Sequence, residues 1–214
     1  GFWSLLMRAQ TTTLRVAQVV DRTEAEGPGE RFAVWVQGCP MRCPGCCNPE
    51  MLAFEPKSPA HEVSPEDLAR RALALGVEGV SLLGGEPFAQ AAALARFAES
   101  ARVGGLSVMT FSGYTLAELR AMNDPAVAAL LAATDLLVDG RYDDARRTTT
   151  RRWVGSDNQV MHFLTDRYQP LDPRFHEGNH LEIRLRGAEI TLNGWPVHGA
   201  LTKLITRRDP PRSA

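Results

Sequence analysis

The sequence predicts an α/β protein built as an incomplete, open β/α barrel, with mostly parallel strands and a C-terminal antiparallel hairpin. Strand-like and helix-like segments alternate from Thr13 to Gly140, a pattern typical of parallel sheets. The repeats are too few to close an eightfold barrel, which typically needs about 250 residues. After Tyr142 the pattern changes to two alternating segments, which favours an appended hairpin.

Hydrophobic alternation and β-branched residues predict the strands. Residues 13–20 (TLRVAQVV) and 31–37 (RFAVWVQ) form the first two, with a turn at Glu26-Gly27-Pro28-Gly29 between them. Short apolar runs predict further strands at residues 79–83, 106–111 and 135–138. Residues 181–186 and 189–197 predict the hairpin, for which Asn193-Gly194 is available as the turn.

Capping signals and apolar spacing predict four helices. Ser64-Pro65 followed by two acids predicts a helix that runs to about Leu75 and ends at Gly76. The alanine-rich segment 89–102 is closed by Gly104-Gly105. Two shorter helices are predicted at residues 115–122 and 125–133.

Composition favours one globular domain and gives no indication of a nucleic-acid or membrane partner. The chain has 214 residues, 44% apolar and 23% charged, with a net charge of −1. We expect a single domain over residues 1–214, with its core at about 11–166 and a hairpin and tail at about 167–214. The basic segments 141–152 and 207–214 are predicted to be solvated surface rather than nucleic-acid contacts. The apolar run near the start is too short for a signal or a membrane span, so a cytoplasmic location without membrane contact is expected.

Motifs follow four of the predicted strands. The cysteine-containing loop follows the strand at 31–37, and residues 84–86, 112–114 and 139–141 follow three others. The carboxyl ends of parallel strands meet at one side of such a sheet, where chemistry is usually located. The sequence therefore predicts one shared site.

All four cysteines lie in the stretch CPMRCPGCC, from Cys39 to Cys47. Cys39, Cys43 and Cys46 are spaced C-x3-C-x2-C, so three thiolates on one loop can converge on one metal centre. Three ligands for a cubane of four irons leave one iron open to substrate. Structural zinc usually takes four ligands in two pairs, and no second Cys or His pair of that spacing occurs. The spacing favours iron–sulfur over zinc, with Cys47 as a bystander.

The motifs resemble those of the radical S-adenosylmethionine enzymes, through the cysteine spacing and Gly84-Gly85-Glu86-Pro87. The segment EGPGERF at 26–32, QGCP at 37–40 and Asn48-Pro49 are similar to the activating proteins of glycyl radical enzymes. The Cys43-Pro44-Gly45-Cys46 core is similar to that of the activating protein of anaerobic ribonucleotide reductase. Short motifs at residues 113–115, 139–140 and 155–159 extend the resemblance through about residue 165.

The resemblance implies two cofactors, a [4Fe-4S] cluster and S-adenosylmethionine. Glu86 would pair with the ammonium group of S-adenosylmethionine, while Gly84 and Gly85 let the backbone approach closely. Asp139 and Arg141 occupy the place of an acid-x-lysine pair that touches the methionine moiety, with arginine here instead of lysine.

Four further polar residues are candidates for the nucleoside part, each with a structural alternative. Thr110 and Ser112 are plausible ribose contacts, although strand-end hydroxyls serve equally well as caps. Asn158 and Gln159 could bind adenine or hold a turn. The residues alone leave both alternatives open.

The resemblance also implies a reaction and its partners. Reductive cleavage of S-adenosylmethionine would give a 5′-deoxyadenosyl radical that takes a hydrogen atom from a glycine of a partner glycyl radical enzyme. A flavodoxin or ferredoxin-type protein would supply the electron. Two alternatives remain: a radical enzyme acting on a small molecule or peptide, and a non-catalytic zinc or iron–sulfur module. The ordered strand-end motifs argue against the second, because a scaffold has no need of them.

Overall fold

The computed structural model describes residues 13–55 and 60–195 and contains a seven-stranded sheet and a separate two-stranded one. The strands of the large sheet are β1 (Leu14–Thr23), β2 (Arg31–Val36), β3 (His61–Val63), β4 (Gly79–Gly84), β5 (Ser107–Phe111), β6 (Leu136–Asp139) and β7 (Val160–Phe163). Strands β8 (Leu181–Arg186) and β9 (Glu189–Gly194) form the hairpin.

The large sheet has the order β3-β1-β2-β4-β5-β6-β7. Its four central strands are parallel, from β2 through β4 and β5 to β6. The outer strands β1, β3 and β7 pair antiparallel. This confirms the expected α/β class with a mostly parallel sheet and an antiparallel hairpin.

Four helices connect the strands: α1 (Pro65–Ala74), α2 (Ala91–Val103), α3 (Leu116–Ala121) and α4 (Pro125–Ala133). Helices α1, α3 and α4 begin at residues whose side chains cap them, whereas α2 has no side-chain cap. Ser64 Oγ accepts from the amide of Asp67 at the start of α1, and Thr115 and Glu118 form a capping box on α3. Such caps satisfy amides that have no partner within the helix.

The central strands are buried on both faces. On β2, Phe32 and Val34 pack with the apolar sides of the helices, while Ala33 and Trp35 pack on the opposite side of the sheet. A strand buried on both faces reads as a continuous apolar run, as RFAVWV does. The core therefore fixes the strand ends on which the site is built.

Three features differ from the sequence-based prediction. The short strands β3 and β7 were not predicted, because three or four residues carry little periodic signal. The hairpin turns at Gly187-Ala188, whereas Asn193-Gly194 lies at the end of β9. The hairpin forms its own sheet rather than extending the large one. Val197, predicted as its last residue, lies outside the described residues.

In the part of the chain that the structure describes, no helix is long and apolar enough to cross a membrane.

Candidate active site

The carboxyl ends of the four parallel strands open into one pocket of about 440 Å³. Its lining includes residues that follow each of these strands: Cys39 after β2, Gly84, Gly85 and Glu86 at β4, Ser112 and Gly113 after β5, and Gly140 after β6. The structure thus brings the strand-end motifs to one place, as the parallel sheet requires.

The cysteine loop is held to the sheet by its backbone. The amide of Gly38 donates to the carbonyl of Met51 at 2.8 Å, and that of Cys39 donates to Leu52 at 3.0 Å. Gly85 sits against this loop so closely that an added Cβ would overlap the carbonyl oxygen of Gly38. Only glycine allows this approach. The end of β4 is therefore packed directly under the cysteines.

The four thiols face the same pocket but differ in exposure. Cys39 is buried, Cys43 and Cys46 are half-buried, and Cys47 is exposed. Burial raises the pKa of Cys43, and the charges of Cys39 and Cys46 add to this effect, so the three thiols lie within electrostatic reach. A hydrogen bond with Cys47 lowers the pKa of Cys46 to about 6.

The donor set fits an iron–sulfur cluster. Three thiols converge from one loop on a pocket large enough for a cofactor, and thiolates are the usual ligands of such clusters. Within residues 13–55 and 60–195, no group of three or more Cys, His, Asp or Glu side chains is already arranged to hold a metal ion.

Glu86 is a buried carboxylate at the floor of the pocket, only 1% exposed. Its Oε1 accepts from Ser112 Oγ and from the Phe88 amide, both at 2.9 Å, and its Oε2 accepts from the Gly113 amide at 2.8 Å. Burial raises the pKa of Glu86 to about 7, although these hydrogen bonds oppose the shift. A cation beside it would favour the ionised form.

Asp139 ends β6 and Arg141 follows it, but neither is among the pocket-lining residues. Asp139 is buried, and its Oδ2 accepts from the Leu116 amide at 2.6 Å and lies 2.8 Å from His162 Nε2. Arg141 is exposed and pairs with Glu118 of α3 at 3.1 Å. Its charge still acts on Glu86 and Cys43, where it opposes the rise in pKa that burial causes. The pair thus borders the pocket.

The four nucleoside candidates separate in the structure. Ser112 lines the pocket, whereas Thr110 is fully buried against Thr134, with 3.0 Å between the hydroxyl oxygens. Gln159 lines the pocket, but its amide bonds the backbone of Gly155, Ser156 and Gly140. These contacts are those of a turn-holding residue.

Asn158 has one side-chain group bonded and one without a partner. Its Nδ2 donates to the Arg141 carbonyl at 2.7 Å. Its Oδ1 is buried with no hydrogen-bond partner among the described residues. Since buried polar atoms are usually satisfied, this oxygen is open to a further donor.

Two further features of the pocket had no assigned role in the sequence. Glu26 is a buried pocket carboxylate whose pKa burial raises to about 7, and it accepts from Asn193 of the hairpin at 3.3 Å. Trp195, just after β9, also lines the pocket and donates from Nε1 to Thr148 O at 2.8 Å. In the sequence, Glu26 was noted only as part of the EGPGERF motif at residues 26–32. Nothing in the sequence indicated that the hairpin reaches the pocket.

A family model described as a 4Fe-4S single cluster domain matches residues 25–162, which span the three clustered cysteines and all four parallel strands. The chain belongs to this family. The match ends before the hairpin. The matched residues form the parallel sheet and the pocket lining described above. They do not include the side of the pocket that the hairpin forms.

Several relatives of this 4Fe-4S protein are named anaerobic ribonucleoside-triphosphate reductase-activating protein. That of Vibrio cholerae is 32% identical over 149 residues, covering 65% of this chain and 91% of the relative. The Escherichia coli K12 protein is 28% identical, with coverage of 64% and 91%. The protein of phage T4 is 26% identical, with coverage of 65% and 88%.

One solved structure, titled QueE from Escherichia coli, also shows similarity to this 4Fe-4S protein. It aligns with a TM-score of 0.41 and 19% identity, covering 50% of this chain and 54% of that one. The likeness is partial.

The family and its relatives confirm the resemblance found in the sequence. The protein is an iron–sulfur protein that holds a [4Fe-4S] cluster, and it belongs with the activating proteins of anaerobic ribonucleoside-triphosphate reductase.

Proposed function

We propose that this protein installs a glycyl radical in a partner enzyme of the anaerobic ribonucleotide reductase type. One electron from the reductant converts S-adenosylmethionine to methionine and a 5′-deoxyadenosyl radical. The radical takes one hydrogen atom from a glycine of the partner, which leaves 5′-deoxyadenosine and a glycyl radical. The names of the relatives support the choice of partner.

The observation that carries the proposal is the meeting of three cysteines and one buried carboxylate in a single pocket. Cys39, Cys43 and Cys46 would hold the cluster, which supplies the electron when it is bound. Glu86 would accept the ammonium group of S-adenosylmethionine on the fourth lone-pair position of its carboxylate, since three are already used.

Other residues in and beside the pocket would position the cofactor. Gly84 and Gly85 line the pocket at the end of β4, where the cofactor would lie, and Ser112 is the ribose candidate that faces the pocket. Arg141 would hold the carboxylate of S-adenosylmethionine, with Asp139 behind it as an anchor for α3. The free Oδ1 of Asn158 suits an adenine amino group, whereas Gln159 holds the turn.

The proposed chemistry also implies a type of fold, a cellular compartment and an electron donor. We propose an open barrel of the radical S-adenosylmethionine type, in a reducing cytoplasm, with a flavodoxin or ferredoxin-type protein as electron donor. An open sheet leaves one side of the pocket accessible to a segment of a second protein.

Anaerobic reconstitution tests the proposal. The protein should turn brown and bind about four irons per chain. With a reductant and S-adenosylmethionine it should release 5′-deoxyadenosine and methionine. Addition of the anaerobic reductase from the same organism should produce a glycyl radical detectable by electron paramagnetic resonance. Stoichiometric zinc with no visible absorbance would rule out the radical chemistry, and cofactor cleavage without a radical on the reductase would point to a small-molecule or peptide substrate.

A further inference from the structure

A second cavity, about 1030 Å³ in volume, lies between β1 and the hairpin. We call it the edge groove. Every residue from 17 to 22 on β1 and every residue from 189 to 192 on β9 lines it. Successive side chains of a strand point to opposite faces, so a run of consecutive lining residues means that the strand borders a cavity with its edge.

Both of these strand edges are unpaired within the described part of the chain. Strand β1 pairs with β2 on one side, and on the other side β3 covers only Leu14 to Val16. Strand β9 pairs only with β8. Each edge therefore presents backbone donors and acceptors to the groove. Arg22, at the end of the β1 run, already accepts from Arg184 on its carbonyl oxygen at 2.6 Å.

The edge groove leads into the active-site pocket. Gln18, Glu50 and Leu192 line both cavities. The two cavities are therefore adjacent, and a chain lying in the groove would end beside the pocket that holds the cysteines.

The hairpin is fixed on the turn that follows β1. Glu182 accepts from the Glu24 amide at 2.8 Å, and Asn193 Nδ2 donates to Thr23 Oγ1 at 2.9 Å. These contacts use its polar face, so they leave the β9 edge free. The family match ends at residue 162, so it does not include the hairpin.

We infer that the edge groove binds an extended polypeptide segment of the partner protein, which pairs with β1 and β9 and carries its glycine into the pocket. This inference rests on the proposed function. A strand added between two open edges gains main-chain hydrogen bonds on both sides, and alternate side chains give specificity. The partner must present one of its glycines to the pocket. An extended segment can do this with few of its own side chains in the way.

The hairpin turn shows which backbone groups of β9 face the groove. Gly187 has a φ of +59° at the first central position, as in a type II′ turn. The closing pair of a two-residue hairpin, Arg186 and Glu189, exchanges both hydrogen bonds, and every second pair repeats this. The N–H groups of Ile190 and Leu192 therefore point away from β8.

A matched pair of proline substitutions tests the inference. Ile190→Pro removes a donor that faces the groove, whereas Leu185→Pro removes the equivalent donor of its cross-strand partner, on the opposite edge. The two side chains are similarly exposed, at 63% and 70%, and Leu185 lines neither cavity. Ile190→Pro should raise the KM for the reductase about five- to tenfold, the cost of one lost hydrogen bond. Leu185→Pro should leave it unchanged.

Hydrogen exchange on the wild-type protein gives a second measurement that needs no variant. Adding the reductase should slow exchange of the amides in residues 17–22 and 189–192. If the wild type makes the glycyl radical but neither edge gains protection, the inference is wrong and the proposed function stands. If both edges are already protected in the free protein, another segment of this chain occupies the groove and the inference is again wrong. If the wild type makes no glycyl radical, the proposed function fails, and the inference that rests on it falls too.

Discussion

At the scale of single residues, neighbouring side chains of the same type have different surroundings. Cys46 and Cys47 are adjacent, yet Cys46 is half-buried at the pocket while Cys47 is exposed. This difference in exposure agrees with the prediction that Cys46 is a ligand and Cys47 is not. Glu86 is likewise distinct from surface glutamates, because its carboxylate is buried with three donors.

We expect the four cysteines to respond differently to serine. Cys39→Ser, Cys43→Ser and Cys46→Ser should each lose most of the cluster and all cofactor cleavage, because thiolate is the ligand form. Cys47→Ser should keep the full iron content, since a hydroxyl can still form a hydrogen bond with Cys46. Iron analysis and 5′-deoxyadenosine release measure this. A loss of iron in Cys47→Ser equal to the other three would mean a cluster with four protein ligands.

Replacing Glu86 should weaken binding of S-adenosylmethionine while the cluster remains. Glu86→Gln keeps a carbonyl acceptor for the Phe88 and Ser112 donors but removes the charge. Loss of a charge-assisted contact costs about 1.5–3 kcal/mol, or about 10- to 150-fold in Kd by equilibrium dialysis. An unchanged Kd in Glu86→Gln would place the ammonium group elsewhere.

The same residue gives a pH dependence of stability in the protein free of S-adenosylmethionine. The folded pKa of Glu86, about 7, lies above its ordinary value of 4.5. The folded state therefore holds this proton more tightly, and the stability it contributes is complete below about pH 4.5 and lost as pH rises through 7. Relative to Glu86→Gln, the free energy of unfolding of the wild type should fall by about 2 kcal/mol between about pH 5.5 and about pH 8. Denaturant titrations of both proteins check the sign.

At the scale of elements, residues expected at the cofactor also hold short helices in place. Asp139 accepts the first amide of α3, and Glu118 closes the capping box of that helix while pairing with Arg141. Arg141 also lies over the Tyr114 ring at 5.9 Å. The loop after β6 and helix α3 are therefore one unit, with the arginine at its edge near the pocket.

Substitutions at Arg141 test whether this unit serves the cofactor. Arg141→Ala should weaken S-adenosylmethionine binding about tenfold or more, because a permanent charge opposite a carboxylate is lost. Arg141→Lys should be partly tolerated. Glu118→Gln is the control, since it removes the same surface ion pair and should change stability by less than about 1 kcal/mol. Equal Kd values for Arg141→Ala and the wild type would assign Arg141 to the surface pair alone.

At the scale of the whole molecule, one buried guanidinium ties the sheet together below the site. Arg31 on β2 is fully buried, and its donors reach Ser81 Oγ at 3.1 Å, Val80 O at 2.6 Å and Ser107 Oγ at 2.6 Å. It also contacts Tyr168 OH at 3.2 Å. Arg31 thus links three neighbouring strands and the segment after β7 through its hydrogen bonds. Burial lowers the pKa of Arg31.

Arg31→Met should destabilise the protein by about 3 kcal/mol or more, because several buried acceptors would lose their donor. The free energy of unfolding from denaturant titration measures this. Arg70→Met serves as the control, since Arg70 is exposed and pairs only with Asp67 on α1. Its cost should stay within about 0.5 kcal/mol. Similar costs for the two variants would show that the Arg31 contacts contribute little to folding.

Much of the element pattern was readable from local signals. Ser64-Pro65 marked the start of α1 and Thr115 that of α3, because capping depends on residues close in sequence. The apolar run RFAVWV marked a strand buried on both faces. Strands β3 and β7 were missed because their pairing, rather than their residues, defines them.

The roles of polar side chains depended on the fold. Thr110 and Ser112 lie two positions apart, yet the first bonds Thr134 and the second bonds Glu86. Gln159 was equally suited to a ligand or a turn in the sequence, and its three backbone contacts are those of a turn. A hydroxyl or an amide can serve equally well in a ligand contact or in a structural contact. The packing of the surrounding elements decides between these two roles.

The sequence by itself determined the chemistry of this protein, because the spacing C-x3-C-x2-C and the strand-end motif Gly84-Gly85-Glu86 are local patterns of ligand and backbone. The tertiary structure decided what surrounds that chemistry. It set the burial that raises the pKa of Glu86 and the greater exposure of Cys47 than of the other three thiols. It also placed the hairpin beside β1, where two open edges form a groove to the pocket. These are relations between residues far apart in the chain, and only packing brings them together.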